Sequence, residues 1–272
     1  MIFINETKIK VEQFPNGELR IPSLNGILLV GAQNTIRMYY ESDTDLMALW
    51  FIKKHSLHIQ VLEIMYMPYS RMDRTQNNSV FTLKYVADFI NTLNFHVVKV
   101  LGAHSDVTPA LLNNCKQYDV IDQLVRKAEQ YFGEQQDFVY VYPDAGAAKR
   151  YSTEKHIDTI ICNKKRDFAT GKISSLQMSG DTLKKHKYAI IIDDLCSYGG
   201  TFDMTAIALC NSYADIRIAL VVTHCEKSIE KGNLLKEDSK IEKIFTTRSM
   251  GEVVHEKISY YNELNEGDIF ND

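Results

Sequence analysis

No apolar run in this 272-residue sequence reaches the roughly 20 residues of a membrane-spanning helix, and the N-terminus lacks a basic region leading into an apolar one. Both absences set the expectation of a soluble, cytoplasmic chain with no membrane partner. Cysteine is sparse: Cys115, Cys162, Cys196, Cys210 and Cys225 are scattered, with no Cys-x-x-Cys pair. That spacing fits reduced thiols and offers neither a disulfide framework nor a zinc signature. Only five prolines occur, and no Pro-rich or low-complexity linker divides the chain. Cations are not in excess: 31 Lys and Arg against 35 Asp and Glu give a net charge of -4, with no basic stripe to hold nucleic acid. A Gly-x4-Gly-Lys-Ser/Thr phosphate loop is missing as well. What the chain has is bulk: 45% hydrophobic residues, enough for one large domain or two small ones.

Apolar, β-branched runs alternate with helical patterns. The expected strands are "ILLVGA" (27–32), "IQVLEIMYM" (59–67), "HVVKVLGA" (96–103), "DFVYVYP" (137–143), "IDTIIC" (157–162), "YAIIIDDL" (188–195) and "IRIALVVTH" (216–224). Runs apolar on both faces suit sheets covered by helices on both sides. "TLKYVADFINTLN" places Leu83, Val86, Ala87, Ile90 and Leu93 on one helical face, with Thr82 as its expected N-cap. "DTDLMALWFIKKH" (43–55) puts acids first and bases last, as a helix dipole favours. A third helix is expected from about Thr201 through "FDMTAIALCNSY". The alternation predicts an α/β fold with mostly parallel sheets flanked by helices. It occurs twice, and the polar stretch "AEQYFGEQQD" sets two similar domains at 1–130 and 131–272.

One stretch concentrates the chemistry: "IIIDDLCSYGGT" (190–201). Ligands of open parallel sheets sit beyond the carboxyl ends of strands, and Asp193 and Asp194 sit at such an end. Gly199 and Gly200 let backbone N–H groups face a ligand, and the following helix start adds unpaired donors and a positive dipole end. Carboxylates beside an anion cradle do not bind the anion. They suit sugar hydroxyls or a divalent metal. A tight strand-to-helix turn with solvated acids explains the same letters individually, but not the coincidence of acids, glycines and helix start.

The stretch resembles the phosphoribosyl-diphosphate loop of the type I phosphoribosyltransferase fold, usually two acids, two apolar residues, Asp-Thr, a small residue and Gly-Thr. Four further segments, "FPNGEL" (14–19), "MPYSRMDR" (67–74), "GAHSD" (102–106) and "YPDAGAAKR" (142–150), make the whole resemble the ribose-phosphate diphosphokinases, also called phosphoribosyl-pyrophosphate synthetases. Their order and spacing match that family over most of the chain. The resemblance implies transfer of the β,γ-diphosphate of Mg-ATP to the anomeric hydroxyl of ribose 5-phosphate, releasing AMP.

The same resemblance implies roles for individual residues. Phe14, Asn16, Glu18, Arg71, Asp73 and His104 correspond to ATP-binding positions, and His104 and Asp144 to magnesium-proximal ones. Lys164 and Arg166, with His104, correspond to catalytic positions, at the start of a lid running through the polar segment 167–180. Lys149 and Arg150 are expected to begin a helix. Asp193, Asp194, Ser197, Tyr198, Gly199, Gly200 and Thr201 correspond to the sugar-phosphate site. A homo-oligomer, dimer or hexamer, is implied too.

The chain departs from the pattern in places. Met72 replaces a Gln, Gly102-Ala103 an Asp-Leu, and Ser197-Tyr198 the Asp-Thr of the loop. Tyr198 offers a ring where a compact hydroxyl is usual, and Ser197 removes a negative charge, easing the approach of a second phosphate. These two changes motivate an alternative acceptor, a ribose substituted through its 5-phosphate such as ADP-ribose, yielding its 1-diphosphate in NAD metabolism. Further alternatives are a phosphoribosyltransferase, which needs neither "FPNGEL" nor Lys164 and Arg166, and a non-catalytic regulatory homologue.

Overall fold

The computed structural model describes residues 1–29, 32–75, 77–134, 136–166, 173–180, 186–262 and 267–270, and for 164–166 and 173–176 the backbone alone. The chain forms two compact units, Met1–Asp119 with Gly267–Asp272, and Val120–Glu266. The division falls at Asp119/Val120 rather than near residue 130. The polar stretch there closes a helix, Ile121–Phe132, whose buried Leu124, Val125 and Ala128 face the second unit's sheet.

The first unit contains β1 (Ile2–Ile4), β2 (Thr7–Ile9), the hairpin β3 (Glu12–Gln13) and β4 (Leu19–Arg20), β5 (Asn34–Met38), α1 (Asp43–His55), β6 (Ile59–Ile64), α2 (Thr82–Asn91), β7 (Val97–Leu101), α3 (Val107–Leu111) and β8 (Cys115–Tyr118). Its main sheet runs β2-β1-β5-β6-β7-β8, parallel from β5 to β8, with β1 and β2 antiparallel at one edge. Ile36, Met38, Leu62, Ile64, Val98 and Val100 pack with Leu49 and Ile52 of α1 and Leu83, Ala87 and Ile90 of α2.

The second unit contains α4 (Ile121–Phe132), β9 (Phe138–Tyr142), α5 (Ala145–Tyr151), β10 (Thr159–Arg166), β11 (Ile173–Gly180), β12 (Tyr188–Cys196), α6 (Gly200–Ser212), β13 (Arg217–Cys225), a 3-10 turn (Lys227–Lys231), β14 (Ile241–Thr246) and β15 (Ile258–Tyr260). Its sheet runs β11-β10-β9-β12-β13-β14-β15, parallel except for β11. Alternate residues serve the two faces. Val139, Val141, Ala189, Ile191, Ile218 and Leu220 pack with Phe202, Ala206 and Leu209 of α6, while α4 meets β12, β13 and β14. Burial on both faces explains the unbroken apolar runs of β12 and β13. The expected α/β fold, two domains with mostly parallel sheets flanked by helices, is what forms.

Several local expectations are corrected. "ILLVGA" is not a strand over its described residues: Ile27 closes a turn over 25–27, 28 is a bend, and 30 and 31 lie outside the described residues. The fully buried Asn34 side chain takes over the backbone pairing there, accepting from Leu29 N at 2.8 Å and donating to Leu29 O at 3.0 Å. The strand is instead Asn34–Met38, whose pattern alternates because only one face enters the core. Thr82 is the first residue of α2 rather than its cap, which is Phe81. Lys149 and Arg150 lie in the last turn of α5, where cations complement the dipole, not at its start. Ile173–Gly180, expected as part of a lid, is a strand paired antiparallel to β10; residues 167–172 lie outside the described residues. No described helix is long and apolar enough to cross a membrane, and all five cysteines are free thiols.

Candidate active site

In the second unit the chemistry gathers at the carboxyl ends of β9 and β12. β12 pairs with β9 only as far as Ile191 but continues along β13 to Cys196. Asp193 and Asp194 thus stand where one neighbouring strand has ended. Asp144, directly beyond β9, caps α5, its Oδ1 accepting from Ala147 N at 3.0 Å. Arg150 reaches back from the same helix to put Nη1 3.7 Å from Asp194 Oδ1.

Asp194 and Asp193 therefore face one guanidinium, and Asp144 is a further carboxylate near Asp193. Burial pushes the Asp193 carboxyl well above its usual range, and Asp194 and Asp144 push it further. The backbone N–H of Asp194 bonds Asp193 Oδ1 at 2.9 Å and opposes the shift without reversing it. Burial would lower the Arg150 pKa, but Tyr151, Asp194 and Asp193 together raise it. Such a cluster favours cations and hydroxyl donors.

The loop after Cys196 turns through Gly199, at φ +79°, into α6. No side chain caps this helix, so its first N–H groups open toward the loop. The loop rests on the segment after β13. A Cβ on Gly199 would come 2.4 Å from Leu234 Cδ1, and a Cβ on Gly232 would come 2.0 Å from the Tyr198 carbonyl oxygen. Nothing lies within 4 Å of a Cβ built on Gly200. Ser197 Oγ donates to Glu226 Oε2 at 2.7 Å. The expected loss of negative charge at Ser197 is therefore offset: Glu226 supplies a carboxylate from the end of β13. The Tyr198 side chain is 58% exposed. Lys164 and Arg166 lie on the β10 backbone, and their side chains lie outside the described residues.

In the first unit, Asp73 and His104 come together. Asp73 is only 6% exposed and accepts from Arg74 Nε at 2.9 Å. Burial works to raise its pKa, but Arg74, the Ser105 hydroxyl and His104 outweigh it and hold the carboxyl below its usual value. Asp73 thus faces inward while Arg71 is exposed. The turn before them is fixed by Tyr69, at φ +60°, whose hydroxyl donates to Asp43 Oδ1 at 2.8 Å. Phe14, Asn16 and Glu18 occupy the exposed tip of the β3–β4 hairpin. Phe14 N donates to Glu18 O and Glu18 N to Asn16 Oδ1, so Asn16 shapes its own turn.

Among the described residues, no group of three or more His, Cys, Asp or Glu side chains is arranged to hold a metal ion by itself. The oxygen donors around Asp193 nonetheless suit a hard divalent cation completed by substrate oxygens.

No family model matches this sequence, and no curated protein does. The fold is similar to the crystal structure of phosphoribosylpyrophosphate synthetase from Mycobacterium smegmatis. The TM-score is 0.77 at 16% identity, over 95% of this chain and 87% of that one. The two chains share a fold. A hypoxanthine-guanine phosphoribosyltransferase (hpt-2) from Bacillus anthracis str. 'Ames Ancestor' also aligns, at 14% identity over 52% of this chain and 73% of that one, with a TM-score of 0.29 that bears no weight.

Sequence reasoning missed Glu226, Ser228, Gly232 and Leu234, and it gave Arg150 a place at a helix start without a carboxylate partner. Glu226 had the same signal as Asp193: an acid directly after a long apolar strand. The other three reach the loop only through tertiary packing, which has no local signature.

Proposed function

We propose that the protein is a diphosphokinase of the ribose-phosphate type, moving the β,γ-diphosphate of Mg-ATP to the anomeric hydroxyl of ribose 5-phosphate and releasing AMP and phosphoribosyl diphosphate. The observation that carries this reading is the Asp193–Asp194 pair at the end of β12, leading through a left-handed Gly199 into an uncapped helix. The five sequence segments and the likeness in fold support it. Asp193 and Asp194 hold the ribose hydroxyls. The backbone N–H groups of Gly199 to Thr201 receive the 5-phosphate. In the first unit, Phe14, Asn16, Glu18, Arg71 and Asp73 are assigned to ATP, and His104 to its phosphates and metal. Asp144 is assigned to Mg²⁺ in the second unit, where its carboxylate would hold the cation together with substrate oxygens. The ion, when bound, offsets diphosphate charge. Lys164 and Arg166 meet the charge that develops on the transferring group. Phosphoryl chemistry of this kind needs positioning and electrostatics more than covalent catalysis. We assign the protein to the cytosol, as a homo-oligomer.

Exposed Tyr198 favours a second reading. A ring at the loop suits a group attached to the 5-phosphate, so the acceptor is then ADP-ribose and the product its 1-diphosphate. Mass spectrometry of products from ATP, Mg²⁺ and either acceptor separates the two. AMP with phosphoribosyl diphosphate supports the first; AMP with a diphosphorylated ADP-ribose supports the second. AMP from neither rejects both.

A further inference from the structure

The Ser197 hydroxyl lies in a closed network behind the loop. Ser197 Oγ is 2.7 Å from Glu226 Oε2, Ser228 Oγ is 2.9 Å from the same oxygen, and the two hydroxyls are 3.1 Å apart. A carboxylate only accepts, and each serine carries one donatable proton. Three contacts therefore compete for two protons, and the two shorter ones, both to Glu226, take them. While the network stands, Ser197 has no proton to donate to a phosphate. Glu226 is itself fixed: its backbone N–H bonds Cys196 O at 2.8 Å, continuing the β12–β13 pairing past the paired Cys196 and Cys225. One carboxylate thus ties the start of the loop to the end of the neighbouring strand. Farther along, Gly199 against Leu234 and Gly232 against the Tyr198 carbonyl seat the rest of it.

We propose that Glu226, acting through Ser197 and Ser228, is the positioning residue of the sugar-phosphate loop, and that Ser197 is a brace rather than a phosphate ligand. The inference rests on the reading of Ser197–Thr201 as a sugar-phosphate site. It leaves the phosphate to the backbone N–H groups at the start of α6 and to Thr201. It also places a fixed negative charge beside the loop.

The test uses the full chain with ribose 5-phosphate as probe. Its Kd is measured by calorimetry, and AMP release by steady-state kinetics with each substrate varied. Glu226→Ala is expected to weaken ribose 5-phosphate binding and raise its KM by about ten- to a hundred-fold, the range for losing charge-assisted hydrogen bonds. The KM for ATP stays within about two-fold in that expectation, because the three contacts of the network meet at the first residue of the loop. Ser197→Asp alone sets two carboxylates against each other and weakens binding further than Ser197→Ala. Combined with Glu226→Ser, which moves the acid from strand to loop, it regains most of the loss. A purely structural role predicts instead that KM for both substrates, kcat and thermal midpoint change together, with no recovery in the swapped pair. That pattern, or an unchanged Kd in Glu226→Ala, overturns the proposal. A wild-type chain that binds ribose 5-phosphate but releases no AMP removes the reaction, and Glu226 is then judged on Kd alone. A wild-type chain that does not bind ribose 5-phosphate overturns both.

Discussion

Arg150 Nη1 lies 3.7 Å from Asp194 Oδ1 and is the guanidinium set against a cluster that also contains Asp193 and Asp144. Its removal leaves the buried Asp194 carboxylate beside the half-buried Asp193 without their shared cation. Arg150→Met is expected to cost roughly 3 kcal/mol, the low end for stranding a buried charge, because part of the Arg150 side chain is in solvent. The urea midpoint of the second unit's unfolding measures it. A shift worth less than about 1 kcal/mol, the range of an exposed pair, contradicts the assignment.

Asp193 carries the opposite signature of an optimised core. Its folded pKa is raised above the 3.8 of an ordinary Asp. Between that value and the raised one, the folded state holds a proton that the unfolded chain releases, so stability falls as pH rises through that window. Asp193→Asn removes this loss. The variant is expected to melt higher than wild type at pH 7.5, with the difference shrinking toward pH 4. Its AMP release is expected to fall about ten-fold or more as one of the carboxyl oxygens that accept from the sugar hydroxyls is lost. A lower melting point at pH 7.5 counts against the assignment.

The glycines near the loop divide by geometry. Gly232→Ala forces a Cβ to within 2.0 Å of the Tyr198 carbonyl, a backbone atom that moves only with the loop. Gly199→Ala meets both a left-handed φ of +79° and Leu234. Gly200→Ala meets nothing within 4 Å. Both constrained variants are expected to lose at least about 1 kcal/mol of stability. Gly200→Ala is expected to lose none, read as thermal midpoints of the three variants side by side.

Sequence alone reached the strands of the second unit's centre, because a strand buried on both faces must be apolar throughout. It missed β5, which buries polar Asn34 beside Ile36 and Met38 and turns Arg37 to Glu63. It also placed a strand at 27–32, where apolar letters belong to a turn and a bend, with Leu29 held by Asn34. The site divides similarly. Asp193, Asp194 and the glycines announce themselves because one short segment holds them all. Glu226 lies 29 positions from Ser197 and becomes part of the loop only once β12 and β13 pair.

Glu63 reveals a similar dependence in the first unit. Its carboxylate, on β6, accepts from Arg37 Nε at 2.8 Å and lies 3.4 Å from Lys99 Nζ, bridging three parallel strands. The chain's last described segment covers these charges: Asp268 Oδ1 bonds Arg37 Nη2 at 2.9 Å, and Phe270, 1% exposed, meets Tyr118 edge-on. Phe270→Ala is expected to cost about 3–5 kcal/mol, as for other fully buried aromatics. Its effect should appear in exchange protection of β5, β6 and β7 amides. Unchanged protection there places the segment outside the first unit's cooperative core.

Histidine 156 gives the second unit an acid limit. The Tyr142 hydroxyl donates to Tyr151 O at 3.3 Å and lies 2.6 Å from His156 Nδ1. The ring stacks on Tyr140 at 4.0 Å. Burial lowers the His156 pKa below 6.5; Asp122 opposes the shift and Lys155 adds to it. As pH falls through 6.5, the unfolded chain takes up a proton that the folded ring refuses, so stability declines until the depressed folded pKa is passed. His156→Asn keeps a polar group facing Tyr142 but cannot titrate there. Wild type is expected to lose more of its melting temperature than the variant between pH 7.5 and pH 5. Equal losses in the two proteins assign the acid sensitivity to other groups and leave the Tyr142 contact as packing alone.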